Sequence, residues 1–365
     1  MTDKRVTVSD YVFDERLATA ATPPSRWYTD PSILEQEKTK VFARTWQLAG
    51  RVEQVAQPGD YFTAQIADEP IIVVCGADGQ VRALSNVCRH RAGPVADGAG
   101  TRRQFKCGYH GWTYALDGRL VGTPEFAGVE CWSKEANGLP EFEVETWGGL
   151  VFVKIDSGEP TLAEMLEDLP SRATVARESE RMKLAARKDW FIDCNWKVYV
   201  DNYLEGYHIP VVHPSLNREL DYSRYRTETA AYYSLQHSPI KRAERLRVDE
   251  TAAQNEAQFF WVFPNLMLNV YPDNYSTNLI IPLGPERTLT VFDWFFHEPE
   301  RDDVQEKLAR TIEFSDEIQL EDIRICEAVQ RGLRSRTYER GRYSVKRENG
   351  THHFHGLLAE FLARE

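Results

Sequence analysis

Cysteine is scarce in this sequence, and long apolar runs are missing from it. The 365 residues include six cysteines. No apolar stretch approaches the roughly 20 residues needed to cross a bilayer, and the first residues, MTDKRVTVSDYVFDER, lack the apolar segment of a secretory signal. With no such signal, so few cysteines argue against a disulfide framework. We therefore expect a cytoplasmic protein with reduced thiols.

Basic residues are outnumbered, and they are scattered along the chain. The sequence has 44 Lys and Arg against 56 Asp and Glu, a formal net charge of -12, so we expect no nucleic-acid partner. No G-x-G-x-x-G follows a strand pattern, so we do not expect the chain to bind a nicotinamide nucleotide itself. Internal repeats and low-complexity tracts are also missing.

The spacing at which apolar residues recur changes along the chain. Residues 30–46 begin with Asp30-Pro31 and continue with apolar residues at helical spacing. Short strand patterns follow from about residue 47 to a Gly-bounded apolar strand at 148–155. A polar, helix-prone segment comes next, then further strand patterns such as 287–297. The sequence therefore predicts an α+β protein.

A long helical stretch is predicted near the C-terminus, from about Arg301 to Leu333. Together with the changes of period, it leads us to divide the chain into three parts, 1–46, 47–157 and 158–365.

Two of the cysteines each stand beside a histidine. One residue separates Cys88 from His90, sixteen residues follow, and two residues separate Cys107 from His110. Each pair lies in a predicted loop at the tip of the β-rich part, so both loops can hold one metal centre. Two thiolates and two imidazoles suit a structural zinc or an iron–sulfur cluster. A mixed Cys and His in each loop is unlike a zinc finger and favours a two-iron cluster.

This spacing, followed by Gly111-Trp112, resembles the Rieske iron–sulfur domain in its oxygenase branch. The resemblance implies a 2Fe–2S cluster in which Cys88 and Cys107 hold one iron, and His90 and His110 hold the other. Neutral imidazoles in place of two thiolates raise the reduction potential of the cluster, which suits a relay that passes its electron onward.

A second centre is indicated by NWKVYVDNYLEGYHIPVVHP at 195–214, which contains His208 and His213. This segment resembles the mononuclear iron motif of Rieske non-heme iron oxygenases. By the resemblance Asp322 is the third ligand, and Asp316 is the next carboxylate to consider. Two histidines and one carboxylate occupy one face of ferrous iron and leave the other face open for dioxygen and substrate.

An acidic residue three before the first histidine bridges the two metal centres of neighbouring subunits in this family. Here that position is Glu205, where most members carry Asp, and Asp201 is the second candidate. Because three residues make almost one helical turn, we expect Glu205 and His208 to share a helical face. A Glu at this position resembles the branch that oxidises carnitine and other quaternary amines.

The C-terminal HHFHGLL resembles choline monooxygenase. Its His352, His353 and His355 are expected to pack in the C-terminal tail rather than to form a third metal site. The other cysteines are expected to be small buried side chains; they are Cys75, Cys131, Cys194 and Cys326.

The family resemblance also implies the architecture and the partners. It assigns 47–157 to a β-sandwich Rieske domain and 158–365 to a helix-grip catalytic domain with an antiparallel sheet, on which 1–46 packs. The implied assembly is a head-to-tail homotrimer. Its electrons come from NADH or NADPH through a separate reductase, alone or with a ferredoxin, and the terminal centre is mononuclear non-heme Fe(II).

The implied activity is that of a terminal oxygenase, with mono- or dioxygenation left open. The best candidate substrate is a small quaternary ammonium compound such as choline, betaine or carnitine, which would be hydroxylated or N-dealkylated. An aromatic cage would bind it by cation–π contact. The candidate aromatics are Tyr203, Tyr207, Phe260, Trp261, Phe263 and Tyr271. Alternatives are aromatic ring hydroxylation or O-demethylation, and, in another class, a Rieske-type electron carrier or redox sensor without mononuclear iron.

Overall fold

The computed structural model describes residues 11–173, 179–241 and 256–364. The chain forms two compact units, one of Phe42–Leu162 and one that joins Met1–Val41 to Ala163–Glu365. Both units contain antiparallel sheets, and the second also carries long helices, which confirms the predicted α+β class. No helix within the described ranges is long and apolar enough to cross a lipid bilayer.

The unit Phe42–Leu162 contains a seven-stranded and a three-stranded antiparallel sheet. Its strands are β1 Gln47–Arg51, β2 Asp60–Ile66, β3 Glu69–Cys75, β4 Val81–Ser85, β5 Ala99–Thr101, β6 Phe105–Lys106, β7 Thr113–Tyr114, β8 Leu120–Gly122, β9 Glu141–Trp147 and β10 Leu150–Lys154. The larger sheet has the order β1-β10-β9-β4-β3-β2-β5, and the smaller one has the order β6-β7-β8.

Both faces of the larger sheet are covered by apolar side chains. Along β3, Ile71 and Val73 belong to one core cluster, whereas Ile72 and Val74 belong to another. Successive side chains of a strand point to opposite faces, so a strand buried on both sides reads as the continuous apolar run IIVV. The second cluster also contains Cys88 and Cys107 of the two loops, which anchors both loops to one core.

The other unit is built on a seven-stranded antiparallel sheet of order β11-β17-β16-β15-β14-β13-β12. Its strands are β11 Lys183–Ile192, β12 Arg226–Thr229, β13 Tyr233–Pro239, β14 Glu256–Val262, β15 Leu266–Tyr271, β16 Asn274–Gly284 and β17 Arg287–Phe296. The α-helices among the described residues are α1 Pro31–Glu37, α2 Leu162–Leu166, α3 Leu169–Arg172, α4 Trp196–Tyr203, α5 Ile209–Val212, α6 Pro214–Glu219, α7 Asp302–Leu333 and α8 Asn349–Ala363.

The helix boundaries follow from local chemistry. The side chain of Asp30 accepts a hydrogen bond from the amide of Ser32 and so caps α1, whose first residue is proline. The 32-residue α7 begins with Asp302 and Asp303, whose negative charges interact favourably with the positive end of the helix dipole. The predicted helix from about Arg301 to Leu333 is therefore confirmed.

Three of the four remaining cysteines are buried as predicted, but the prediction for Cys131 is wrong. Cys75, Cys194 and Cys326 are buried, whereas Cys131 is exposed. Cys131 lies in the connection between β8 and β9 with a φ of 56°. Connecting segments run over the protein surface, so an apolar type alone does not bury a residue there.

Candidate metal centres and substrate cavity

Two loops with the same backbone hydrogen bonds present the Cys and His pairs. In the first loop the amide of Cys88 donates to the carbonyl of Gly93, and the amide of Ala92 donates back to the carbonyl of Cys88. The loop from Cys107 onward repeats both bonds at the same spacing. The fourth residue after each cysteine has a left-handed backbone, with a φ of 54° at Ala92 and 74° at Gly111. The two loops are thus matching supports for one centre.

The side chains of these loops supply a donor set that fits a two-iron cluster. Cys88 and Cys107 are each 3% exposed, and the ring centroids of His90 and His110 are 4.6 Å apart. Trp112 stacks on His90 at 4.8 Å. Within the described residues, Nδ1 of His90 is buried without a hydrogen-bond partner. Buried polar atoms normally have a partner, so this nitrogen is available to a metal.

The ionisation of the loop side chains agrees with this role. Burial, followed by the charge of His110, lowers the pKa of His90, which favours the neutral ring that binds metals. Tyr114 places its hydroxyl 3.3 Å from Sγ of Cys88 and accepts the amide of Arg89 at 3.0 Å. A hydroxyl that contacts a cysteine sulfur is the kind of neighbour that would tune the reduction potential of a cluster held there.

Three side chains from distant parts of the sequence meet in the other unit. The one-turn helix α5 has His208 before its first residue and His213 after its last, which brings the two rings to a centroid distance of 5.0 Å. Asp322 joins them from α7. One ligand atom from each of the three lies within 4.8 Å of the other two. These are the three residues that the sequence predicted to act together.

Negative charge surrounds the two rings. Oδ1 of Asp322 lies 2.9 Å from Nε2 of His213 and 3.8 Å from Nε2 of His208. Burial lowers the pKa of His213, but its hydrogen bonds to Asp322 and Glu321 outweigh that effect and raise the pKa above its ordinary value. A site that favours an added proton in this way also suits a metal cation.

Glu205 contacts His208, although not from a helical face. The helix α4 ends at Tyr203, so Glu205 lies in the turn that follows, and the prediction of a shared helical face is wrong. Oε1 of Glu205 lies 2.6 Å from Nδ1 of His208, while Oε2 accepts the amides of Tyr207 and His208. In this turn one carboxylate therefore caps two backbone amides and holds the imidazole at the same time.

Asp201 faces a different group of side chains. Tyr28 donates a hydrogen bond of 2.7 Å to Oδ2 of Asp201, and Nε2 of His355 lies 2.9 Å from Oδ1. Nδ1 of His355 lies 2.7 Å from the hydroxyl of Tyr343. These contacts hold the Asp201 side chain between Tyr28 and His355, whereas Glu205 contacts His208 directly.

The three C-terminal histidines lie on α8 and point to separate partners. Nε2 of His352 lies 2.8 Å from the carbonyl of Asp14, and the ring of His353 packs edge-on against Trp261. His355 is held by the tyrosines described above. Within the described residues, the group of at least three potential ligands close enough to share a single metal ion is His208, His213 and Asp322, and it includes none of the α8 histidines.

A cavity opens directly onto this triad. Its aromatic wall comprises Tyr199, Tyr203, Tyr225, Phe259, Tyr271, Phe292, Trp294 and Phe314. Its polar wall comprises Asn202, Gln236, Asn269, Asn274, Ser276, Asn278, Thr311, Ser315 and Gln319. The charged side chains of the described lining are Glu205 and Asp322, apart from the two histidines, and none is Lys or Arg. The cavity therefore combines negative charge, π faces and neutral hydrogen-bonding groups.

Two of the six predicted pocket aromatics line the cavity, Tyr203 and Tyr271. The other four do not line it. Phe260 points to the opposite face of β14 from Phe259, which does line the cavity. Trp261 and Phe263 pack against Phe354 and Phe361 of α8, and the ring of Tyr207 is 57% exposed.

Sequence reasoning missed the residues that support the triad. Asn202 donates a hydrogen bond of 2.6 Å to Oδ1 of Asp322, and Oε2 of Glu321 lies 2.7 Å from Nδ1 of His213. Asn202 lies within the quoted motif, three residues before Glu205. The sequence therefore showed that it is near the site, but not that its hydrogen-bond partner is Asp322. The cavity residues on β14 to β17 carry no local motif, because the sheet alone brings them together.

The sequence matches two family descriptions. Residues 45–133 match the Rieske [2Fe-2S] domain, and residues 168–364 match the ring hydroxylating alpha subunit, catalytic domain. The chain is 37% identical over 356 residues to the chloroplastic choline monooxygenase of Arabidopsis thaliana, covering 94% of this chain and 83% of that protein. It is 33% identical over 366 residues to the carnitine monooxygenase oxygenase subunit of Escherichia coli (strain K12), covering 96% and 97%.

The fold is also that of a solved structure. A quaternary ammonium Rieske monooxygenase, described together with carnitine oxidation and inter-subunit electron transfer, superposes with a TM-score of 0.84 at 30% identity. The match covers 96% of this chain and 100% of that one.

Proposed function

The chain belongs to the Rieske non-heme iron oxygenases, and we propose that it hydroxylates or N-dealkylates a small quaternary ammonium compound. It is an oxidoreductase that uses dioxygen and electrons from a separate reductase, and its cofactors are a 2Fe–2S cluster and a mononuclear iron. The observation that carries the substrate proposal is the cavity, in which aromatic rings lie beside the triad and no basic side chain occurs among the described lining residues.

The ligand assignments are part of the proposal. Cys88 and Cys107 would hold one iron of the cluster, and His90 and His110 the other. His208, His213 and Asp322 would hold the mononuclear iron. The donor types suit both centres, since thiolates and imidazoles bind Rieske clusters, and two histidines with one carboxylate bind non-heme Fe(II). When bound, the metals supply one-electron transfer and a site for the reduction of dioxygen.

The protein side chains would orient and enclose the reactants. Glu205 and Asn202 hold His208 and Asp322 by hydrogen bonds of 2.6 Å each, so two of the ligands are fixed before a metal binds. We propose Glu205, rather than Asp201, as the bridge to the cluster of a neighbouring subunit, because Glu205 alone of the two contacts a triad histidine. The aromatic wall would exclude water from the substrate.

The lining of the cavity favours a cation over a zwitterion. A trimethylammonium group gains from contact with the faces of Tyr and Trp rings. A carboxylate on the same substrate would need a basic partner, which the described lining residues do not provide. Their amides and hydroxyls instead suit a neutral polar end. We therefore rank choline-like alcohols above carnitine-like acids, with monooxygenation as the reaction.

The assembly and the division of the chain are also proposals. We propose a homotrimer in the cytoplasm, with an N-terminal segment 1–46, a Rieske domain 47–157 and a catalytic domain 158–365. The solved relative described with inter-subunit electron transfer supports an oligomer. Light scattering on the purified protein measures the subunit number directly.

Oxygen uptake tests the proposed reaction. The iron-loaded protein, NADH or NADPH and a Rieske-oxygenase reductase would be combined with choline, glycine betaine, carnitine and a set of arenes and aryl methyl ethers. We expect product formation coupled to oxygen uptake with choline above the others. Coupled turnover of an arene alone would replace the quaternary ammonium proposal by ring hydroxylation or O-demethylation. A protein that takes up electrons and holds no mononuclear iron would be an electron carrier or sensor.

A further inference from the structure

Each triad histidine carries a carboxylate on the nitrogen that faces away from Asp322. For His208 this carboxylate is Glu205, at 2.6 Å from Nδ1. For His213 it is Glu321, at 2.7 Å from Nδ1. Both rings therefore have Nδ1 occupied by an acceptor, and both Nε2 atoms lie on the side of Asp322.

The geometry points to Glu321 as a positioning residue for the mononuclear centre, acting through His213. A carboxylate accepts the Nδ1–H of a neutral imidazole, so Glu321 fixes the tautomer that leaves a lone pair on Nε2. It also fixes the ring orientation and raises the basicity of the nitrogen that binds metal. This inference rests on the proposed function, because it takes His213 as a ligand of iron.

The position of Glu321 on α7 supports a specific contact rather than a solvated charge. Its side chain is 25% exposed, although exposed residues lie close to it on both sides in the helix, among them Leu320 and Arg324. The ring that it contacts belongs to His213, whose side chain is 2% exposed. A nearly buried imidazole has few other acceptors for its Nδ1–H, so loss of Glu321 leaves that proton without a partner.

Adjacent residues of α7 thus perform different tasks. Asp322 approaches the Nε2 atoms of both histidines, while Glu321 reaches around His213 to its opposite nitrogen. The long helix packs against α4 and β11, so both carboxylates are presented from one packed element.

The test compares Glu321→Gln and Glu321→Ala with Glu313→Gln, which removes an exposed charge of the same helix. The first readout is iron affinity of the mononuclear site by competition with a ferrous chelator. The second is the electron paramagnetic resonance spectrum of the ferrous nitrosyl adduct, which reports ligand geometry. The Rieske signal of the same sample is the internal measure of folded protein.

We expect Glu321→Ala to weaken iron binding roughly 10- to 100-fold and to alter the nitrosyl spectrum, with an unchanged Rieske signal. Glu321→Gln keeps an acceptor oxygen for Nδ1–H but loses the charge, so its loss should be smaller. Glu313→Gln should match the unmodified protein in every readout.

Two outcomes separate the inference from its premise. If Glu321→Ala binds iron as tightly as the unmodified protein, with the same nitrosyl spectrum, the positioning role is wrong and the proposed function stands. If the unmodified protein binds no mononuclear iron, the proposed function itself fails. A variant that loses the Rieske signal as well would show a structural role for Glu321 and would equally overturn the inference.

Discussion

Asn202 donates a hydrogen bond of 2.6 Å from Nδ2 to Oδ1 of Asp322. The same oxygen lies 2.9 Å from Nε2 of His213. The last turn of α4 therefore holds the α7 carboxylate at the point where the two histidines converge. Because an amide carries no charge, it orients the carboxylate without repelling a cation.

Loss of Asp322 should remove one metal centre and leave the other. We expect Asp322→Ala to lower the iron content from about three to about two per chain, because the site keeps two neutral imidazoles and loses its charged ligand. Turnover should disappear, while the Rieske signal remains. Iron analysis and electron paramagnetic resonance on one sample measure both effects.

The matched control is Asp316→Asn on the same helix. Asp316 pairs with Lys188 at 2.6 Å rather than with a triad histidine. It should keep the mononuclear iron. The opposite pattern, with iron lost in Asp316→Asn and kept in Asp322→Ala, would transfer the carboxylate role to Asp316.

The centres were predictable where the sequence itself fixes the spacing. His208 and His213 flank a single short helix, and each Cys and His pair of the cluster lies within one tight loop. Asp322 is more than 100 residues from His213, and it was assigned by family resemblance rather than by periodicity. Local spacing thus indicates donors that share a loop, whereas both the pair His208 and His213 and the distant Asp322 were assigned to a mononuclear iron by family resemblance.

Loss of Cys107 should remove the cluster. Cys107→Ala would deprive one iron of a thiolate from a loop whose backbone is closed by hydrogen bonds between Cys107 and both Trp112 and Gly111. We expect the visible absorption and the Rieske signal to disappear. The exposed Cys131 is the natural comparison, and Cys131→Ala should keep the full signal. A normal Rieske spectrum in Cys107→Ala would show that the ligand assignment is wrong.

Substitution of Tyr271 should separate cation binding from simple packing. Its ring lines the cavity and packs edge-on against Phe259 at 6.2 Å. Tyr271→Leu should raise the KM for a quaternary ammonium substrate roughly 2- to 30-fold, because one π face is lost. Tyr271→Phe keeps that face and should change the KM less.

The neutral analogue 3,3-dimethylbutan-1-ol is the control for shape, since it has the form of choline without the charge. Its apparent affinity should fall by a smaller factor than that of choline in Tyr271→Leu. Equal losses for both compounds would contradict a cation–π role and leave Tyr271 as a packing residue.

The cavity residues were harder to predict because strands carry no motif for what they enclose. Phe259 and Phe260 are adjacent and chemically alike, yet the pleat sends one to the cavity and the other to the core. Choosing between them requires the strand register, which tertiary pairing sets. The prediction for Glu205 had a similar limit. Its proximity to His208 was expected, but the end of α4 at Tyr203, which places Glu205 in a turn, was not.

His353 should make the protein less stable in acid. Burial, followed by the charge of His352, lowers its pKa from 6.5 to about 4. Because the folded state holds the neutral ring, the unfolded chain binds more protons below pH 6.5, and stability is lost as the pH falls from about 6.5 towards 4. The loss at pH 4.5 is about 2 to 3 kcal/mol.

His353→Phe keeps a ring against Trp261 and removes the titration. The decrease in Tm between pH 7.5 and 4.5 should therefore be smaller in this variant than in the unmodified protein. Identical decreases in both proteins would show that His353 does not contribute to acid sensitivity.

Replacement of Glu205 tests the proposed link between the two metal centres. Its carboxylate contacts Nδ1 of His208 with one oxygen and the backbone amides of Tyr207 and His208 with the other. Glu205→Gln keeps the size but replaces one acceptor oxygen with an amide donor, so at least one of these hydrogen bonds must fail. No ligand atom changes, so both metal centres should stay loaded, while turnover should fall at least roughly 10- to 100-fold.

A single-turnover experiment locates the defect of Glu205→Gln. The pre-reduced variant is mixed with substrate and oxygen, and the cluster should stay reduced long after the unmodified protein has oxidised and formed product. Asp201→Asn is the matched comparison, because it neutralises the other acid near the end of α4, whose carboxylate contacts Tyr28 and His355. It should oxidise its cluster at the normal rate. If Glu205→Gln also does so and forms product, Glu205 is not the bridge, whereas a slow Asp201→Asn would assign that role to Asp201.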